Sequence, residues 1–338
     1  MIYYPVCIPT LNRYEHLKAC VESLQRCTHA DKTELIIGLD ALPPPPNYEV
    51  YREGYEKVKA YLPTITGFAK VTILERDTNY GAERNWDDLA KYCLQYYDAY
   101  IFVQDDTEVS PCFLDYMDKV LERYRDDSRI LSVSGYLHSA CYGPNPNGLF
   151  LSLPHSDWGT GYWKDKWENT VRPYMHGNND FFLKMIRSKR ISDKVIATYP
   201  AGYWLLFCIL KSNRSHWGDH KISLYNVATD HYQLRPAVSM VRNIGCDGSG
   251  ENSPTDATYI SQQIRTEAVF DLSSEPEEMR PEILYHREMP TDPIEFKKVL
   301  KTIKIKTWLI RIFPFWFRLE TLVHRYWLGI LRRCGRPV

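Results

Sequence analysis

The chain has 338 residues, 44% hydrophobic and 25% charged, a balance that belongs to a folded globular protein and excludes a mostly disordered one. Lys plus Arg and Asp plus Glu number 42 each, but from Lys297 onward eleven basic residues face one acid, Glu320, so that segment carries +10 and the first 296 residues −10. An acidic body with a basic tail argues against nucleic acid as the body's partner and points the tail toward an anionic surface.

The first 135 residues alternate between strand and helix patterns. Tyr3 to Ile8 predicts a strand, Pro9-Thr10-Leu11-Asn12 a turn, and Arg13 to Arg26 a helix with Leu17, Cys20, Val21 and Leu24 on one face. Glu34 to Leu39 predicts a second strand ending at Asp40, and Pro43 to Pro46 a stiff connector. A helix (Tyr48 to Tyr61), a strand (Lys70 to Glu75) and a helix (Gly81 to Tyr97) follow. Next come a strand from Tyr100 to Val103, a helix from Pro111 to Tyr124 and a strand from Ile130 to Ser134. Such alternation implies an α/β fold with a mostly parallel sheet flanked by helices, and ligands in such sheets bind beyond the carboxyl ends of the strands. Thr10, Asp40, Asn79, Asp105 and Asp106 stand at those ends.

After Gly135 turns and aromatics dominate, and 271–293 reads as an acidic, Pro-rich linker. The uncharged run from Val195 to Leu210 contains Pro200 and Gly202 and falls short of the roughly 20 residues a membrane span needs, so it reads as buried core. Nine cysteines without CxxC spacing indicate neither a zinc ribbon nor a disulfide framework. MIYYPVCIPT shows no charged and then apolar leader, and the expected compartment is a reducing cytoplasm.

The strongest chemical motif is FVQDDTEVSP, residues 102 to 111. Adjacent carboxylates at the end of a buried strand repel one another, and a hard divalent ion such as Mg²⁺ or Mn²⁺ relieves that cost while leaving positions open for phosphate oxygens. A solvated turn with an Asp helix cap would use the same residues. The later GCDGSGENS, 245 to 253, suits backbone N–H groups wrapped around a diphosphate, as it would suit an ordinary turn. His216 and His220, four apart with a Gly between and no HExxH pattern, read as hydrogen-bonded histidines before metal ligands. Trp158 reads as a sugar-stacking residue, and Tyr162, Trp163 and Trp167 as core.

Four motifs in order carry a resemblance: PVCIPTLNRYEHLKACVESL, then NYGAERNWDDLAKYC leading into YIFVQDDTEVSPCFLDYM, then DWGTGYWKDKW, then LRPAVSMVRNIGCDGSGENS. Over residues 3 to 253 the chain resembles the inverting, nucleotide-sugar-dependent family 2 glycosyltransferases of bacteria. That resemblance implies a GT-A fold, Rossmann-like, over residues 1–270, with 1–135 as the nucleotide-binding half and 136–270 as the acceptor half. It implies a divalent metal and a nucleotide sugar, typically a UDP-sugar, with Asp106 as metal ligand and Asp105 at the ribose. Thr10, Asp40 and Asn79 would lie near the nucleoside. The residue before the pair, often Glu in relatives, is Gln104 here, and the His that often ends the glycine-rich loop and contacts the metal or phosphate is Asn252, which would be the second metal ligand. By motif order Asp219, after Trp217-Gly218, matches the catalytic base; Asp157, Asp180 and Glu251 remain alternatives.

From 294 to 338, Lys297, Lys304, Arg311, Arg318, Arg325 and Arg332 recur every seven residues among Trp, Phe, Ile and Leu, with Pro314 as a break. A basic, Trp-rich amphipathic segment without a spanning core reads as helices lying in a membrane interface, and a C-terminal hairpin packed on the body would share the pattern. The combined expectation is a transferase acting on a polyprenyl-linked or other glycan acceptor of a surface polysaccharide, peripheral at the inner face of a cell membrane. A nucleotide-binding adaptor without turnover is the second reading. A nucleotidyltransferase is the third, though PTLNRYEH makes a poor triphosphate loop.

Overall fold

The computed structural model describes residues 1–45, 48–137, 143, 145–177, 179–212, 218–249, 255–267, 269–279, 292–313 and 322. In chain order the elements are β1 (Val6–Thr10), α1 (Tyr14–Gln25), β2 (Glu34–Leu39), α2 (Tyr48–Tyr61), β3 (Lys70–Glu75), α3 (Gly81–Tyr96) and β4 (Ala99–Phe102). There follow β5 (Thr107–Val109), α4 (Phe113–Arg123), β6 (Ile130–Ser134), β7 (Leu149–Ser152), β8 (Thr160–Trp163) and the single turn α5 (Lys164–Lys166). Five helices come next: α6 (Arg172–His176), α7 (Asn179–Arg187), α8 (Lys189–Thr198), α9 (Pro200–Ser212) and α10 (Gly218–Thr229). The remainder is β9 (Tyr232–Pro236), β10 (Val241–Asn243), α11 (Ala257–Ile260), β11 (Glu277–Glu278) and α12 (Pro293–Ile312).

These elements form two compact units, each assembled from separate stretches of chain. The first comprises Met1–Ser152, Ser156–Thr170 and Tyr232–Glu278 and holds every strand among the described residues. Its nine-stranded sheet has the order β11-β7-β9-β6-β8-β4-β1-β2-β3. The run β4-β1-β2-β3 is wholly parallel, and β8 then inserts antiparallel between β4 and β6. The expected α/β class with a mostly parallel sheet and flanking helices is the one observed. Strands β1, β2, β4 and β6 are buried nearly throughout, which suits a sheet covered on both faces. The α3 helix packs on β1, β2 and β4, and α4 on β6 and β8.

Several element ends differ from the sequence pattern by one to three residues, as at α1, α3, β4 and α4. The first strand starts at Val6, because Pro5 has no N–H to donate to the ladder and contributes only its carbonyl, to Ile101 N–H. Tyr162 and Trp163 sit on β8, and with Trp167 they are buried, in agreement with a core role. The six cysteines whose side chains are described, Cys7, Cys20, Cys27, Cys93, Cys112 and Cys246, are buried free thiols.

The second unit comprises Leu153–His155, Val171–His231 and Met279–Val338, and its described elements are helices. The run from Val195 to Leu210 is core, divided at Pro200, which opens α9 at a position where a missing N–H costs nothing. Phe182, Ile186, Val195, Tyr203, Leu206 and Leu224 cluster there with Ile303 and Ile310 of α12. The segment expected to be an appendage therefore begins as a helix with one face inside a core. Asp292 caps it, its Oδ1 accepting from Ile294 N–H (2.7 Å) and Glu295 N–H (3.0 Å), and Pro293 takes the first turn. No helix among the described residues is long and apolar enough to cross a membrane.

Ile303 is fully buried, so Ile303→Ala should cost about 2–5 kcal/mol in urea denaturation, with unchanged stability excluding a core role for α12. In the first unit, Asp118 of α4 accepts Tyr4 N–H at 3.1 Å through Oδ1 while Oδ2 has no partner. Burial pushes this carboxyl up to about 7. A raised acid holds more protons folded than unfolded, so it lowers stability as pH rises from about 4 to 7. Replacing it in Asp118→Asn should flatten that part of the pH–stability profile; an identical profile in the two proteins would show that Asp118 ionises normally.

Candidate functional site

The carboxyl edge of the first unit's sheet gathers the polar strand ends. Parallel pairing of β1 with β2 and β4 places Thr10, Asp40 and the Asp105–Asp106 pair along one edge. Antiparallel pairing of β8, with Thr160 opposite both Phe102 and Ser134, delivers Asp157 and Trp158 to that same edge. The short ladder β5–β10, with Thr107 opposite Asn243, brings the glycine-rich loop onto Asp106.

Asp106 is 7% exposed and held from three sides. Its Oδ2 accepts from Arg13 at 2.5 Å, its Oδ1 from the Asn243 amide at 3.2 Å, and its carbonyl from Ile244 N–H at 2.9 Å. Asn243 Oδ1 in turn accepts Gly245 N–H at 2.8 Å. A Cβ at Gly245 would collide with Asp106 Oδ2, so the close approach of loop and carboxylate needs glycine there. Arg13 also donates to Gly245 carbonyl (3.3 Å) and Ser249 Oγ (3.0 Å), tying the start of α1 to the loop.

Asp105 Oδ2 accepts the Thr10 hydroxyl at 2.9 Å. Burial first, then the neighbouring Asp106 carboxylate, push the Asp105 carboxyl well above its ordinary range, against the pull of Thr10 and Arg13. Asp247 goes the other way. Burial opposes its ionisation, but the Ser249 hydroxyl and N–H, followed by His16 and Arg13, hold it down at about 2. His16 lies 3.1 Å from it.

Asp40 is 4% exposed and saturated. Oδ1 accepts Ala41 N–H (2.9 Å) and Tyr80 N–H (2.7 Å); Oδ2 accepts Gly81 N–H (2.7 Å) and the Asn79 amide (3.4 Å). These bonds satisfy the otherwise unpaired N–H groups at the start of α3, and the carboxylate suits the positive end of that helix. Asn79 also donates to Ala41 carbonyl at 2.6 Å. Trp158 is half-buried, edge-on to Tyr136 (centroids 4.6 Å apart) and Tyr259 (5.2 Å), an aromatic cluster at the sheet edge. Asp157 accepts the Tyr162 hydroxyl at 2.8 Å.

Asp219 belongs to the second unit, in the first turn of α10, where its Oδ1 accepts His220 N–H at 2.8 Å. Asp180 is exposed in the first turn of α7. His220 pairs with the Tyr199 hydroxyl at 3.0 Å. Asn252, Glu251, His216 and Trp217 lie outside the described residues. Sequence reasoning did not single out Arg13, His16, Asn243 or Asp247. The signals were present, since Arg13 directly follows the β1 turn and Asn243 and Asp247 lie within NIGCDG, but nothing in one dimension joins them to Asp106.

Asp105, Asp106 and Asp247 supply oxygen donors against Arg13 and His16, a donor chemistry that suits a hard divalent ion in kind. Arg13 now occupies Asp106 Oδ2, so an ion on that oxygen requires the guanidinium to yield. Among the described residues no group of three or more His, Cys, Asp or Glu is arranged to hold a metal.

No protein-family model matches the chain, and no curated protein matches it. Solved structures of S. aureus TarS align with it weakly. One gives 13% identity and a TM-score of 0.35 over 50% of this chain and 29% of the other. TarS 1–349 in complex with UDP-GlcNAc gives 13% and 0.34 over 50% and 47%, and TarS 1–349 alone 11% and 0.34 over 68% and 72%. The chain thus spans less than half the length of the first of these.

The saturation of Asp40 has a measurable consequence. Asp40→Ala should lower stability by about 2–3 kcal/mol, because it strands buried N–H donors at the start of α3. Unchanged stability with weakened nucleotide binding would instead assign Asp40 to the nucleoside.

Proposed function

We propose that the chain is an inverting glycosyltransferase of the GT-A type that uses a nucleotide sugar, UDP-linked, and a lipid-linked glycan acceptor. The observation that carries this reading is the meeting of Asp105, Asp106, Arg13 and the glycine-rich loop at the carboxyl edge of a parallel sheet, where such sheets bind nucleotides. The order of the four sequence motifs supports it independently.

In the proposed reaction the acceptor oxygen attacks the anomeric carbon, its proton passes to a carboxylate, and the bond to the diphosphate breaks with the electron pair leaving on UDP. Asp105 would meet the ribose with Thr10 orienting it, and Asp106 with Asn252 would hold a divalent ion, which neutralises diphosphate charge when bound. Gly245 and Ser249 N–H are held by Asn243 and Asp247, so the remaining backbone N–H groups of the 245–249 loop would face the diphosphate, and Trp158 would offer an aromatic face to a sugar. Asp219 is the base by motif order. Asp157 is the second choice, favoured by its place on the sheet edge and its hydrogen bond from Tyr162. The Arg13 grip on Asp106 favours one other reading, a nucleotide-binding adaptor without turnover.

Hydrolysis of a panel of nucleotide sugars, with and without Mn²⁺, separates enzyme from adaptor; no hydrolysis of any donor, even with lipid acceptors, supports the adaptor. Asp106→Asn should abolish metal-dependent UDP binding in calorimetry, and undiminished binding would remove Asp106 from the ion. Transfer by Asp219→Asn should fall by about 10²- to 10⁴-fold with UDP affinity intact. If Asp157→Asn shows that loss and Asp219→Asn does not, the base is Asp157.

A further inference from the structure

The α12 helix has two faces of opposite character. Ile303, Thr307 and Ile310 point into the core of the second unit, and Arg311 reaches Asp193 and the Ile186 carbonyl, each at 3.3 Å. The outward stripe recurs at helical spacing: Lys297, Lys301, Lys304, Ile305, Trp308 and Ile312, all exposed. Trp308 is 55% exposed, and Ile305 and Ile312 are each 48% exposed, large apolar side chains standing among lysines on one face. Glu295 is the only acid in the helix.

From this face we infer that α12 is the lipid-docking surface of the protein and that its partner is the anionic headgroup layer of a membrane. An interface of this kind takes both halves of the stripe at once. Lysine stems lie along apolar surface with their ammonium groups at the phosphates, while Trp and Ile enter the headgroup–acyl boundary. A 20-residue helix is about 30 Å long, which suits a flat surface. The chain's own remaining C-terminal segment is a poor cover, since Arg318, Arg325, Arg332, Arg333 and Arg336 against Glu320 give it the same sign of charge. That segment continues the chemistry of the stripe with Phe315, Trp316 and Trp327. The inference rests on this surface and stands or falls apart from the transferase reading.

Because the inward face belongs to a core, deleting the helix would confound binding with folding, and surface substitutions are the proper test. The 338-residue chain should sediment with vesicles of phosphatidylcholine and phosphatidylserine and far less with phosphatidylcholine alone. The triple change Lys297→Glu, Lys301→Glu, Lys304→Glu should weaken binding to the anionic vesicles by about 10²-fold or more, at roughly a factor of five to ten per lysine. A second protein, Ile305→Ser with Trp308→Ser, should lose the part of the binding that persists in high salt, because salt screens charge but not burial. Thermal melts matching the parent show that both variants fold. Full affinity in the triple variant assigns binding to residues beyond α12 and overturns the inference. So does an absence of binding by the parent, or a change in molecular mass by light scattering without a change in vesicle binding, which would make the face a contact between copies of the chain.

Discussion

The arrangement at the sheet edge depends on one electrostatic problem, the burial of two adjacent carboxylates at the end of β4. Each would repel the other in a poorly solvated setting, and the surrounding structure divides the burden unequally. Asp106 takes the guanidinium of Arg13 and the amide of Asn243, whereas Asp105 keeps one hydroxyl and a raised affinity for its proton. Removing one member of a buried ion pair such as Arg13–Asp106 typically costs about 3–5 kcal/mol, because the other charge stays behind unpaired. Arg13 stands at the start of α1, and Asn243 and Gly245 at the junction of β10 with the loop, so two distant pieces of chain are fastened at a single carboxylate.

A second carboxylate shows how the same residue type can be spent on architecture. Asp40 stands at a strand end, as Asp105 and Asp106 do, but all four of its lone-pair directions receive donors from the start of α3 and from Ala41. Position along the sheet edge thus does not decide role. The donors that the neighbouring loop happens to present decide it.

The second unit obeys a different constraint, in which one helix must satisfy two environments. On α12 the period of 3.6 residues separates Ile303, Thr307 and Ile310 from Lys301, Lys304 and Trp308 by roughly a third of a turn on average. A heptad spacing drifts about 20° per repeat on a straight helix, and the drift is visible: Lys297 and Lys304 face outward, while Arg311 has turned far enough to reach α8.

Much of the first unit was legible in the sequence. Apolar runs of strand length alternated with 3.6-period segments, and β2, β3, β6 and α2 have the bounds those patterns predicted, because local hydrophobic periodicity is enforced by the two-sided burial of a parallel sheet. The carboxylate pair and the strand-end threonine were likewise readable as chemistry. What the sequence could not decide was which residues meet. Arg13 and Asp106 are 93 positions apart and Asn243 lies 137 beyond Asp106. Their pairing follows from strand order and from the β5–β10 register, which are properties of the whole sheet. The assignment of 171–231 and α12 to one core is of the same kind, since an amphipathic helix announces that it has an apolar face but never what will cover it.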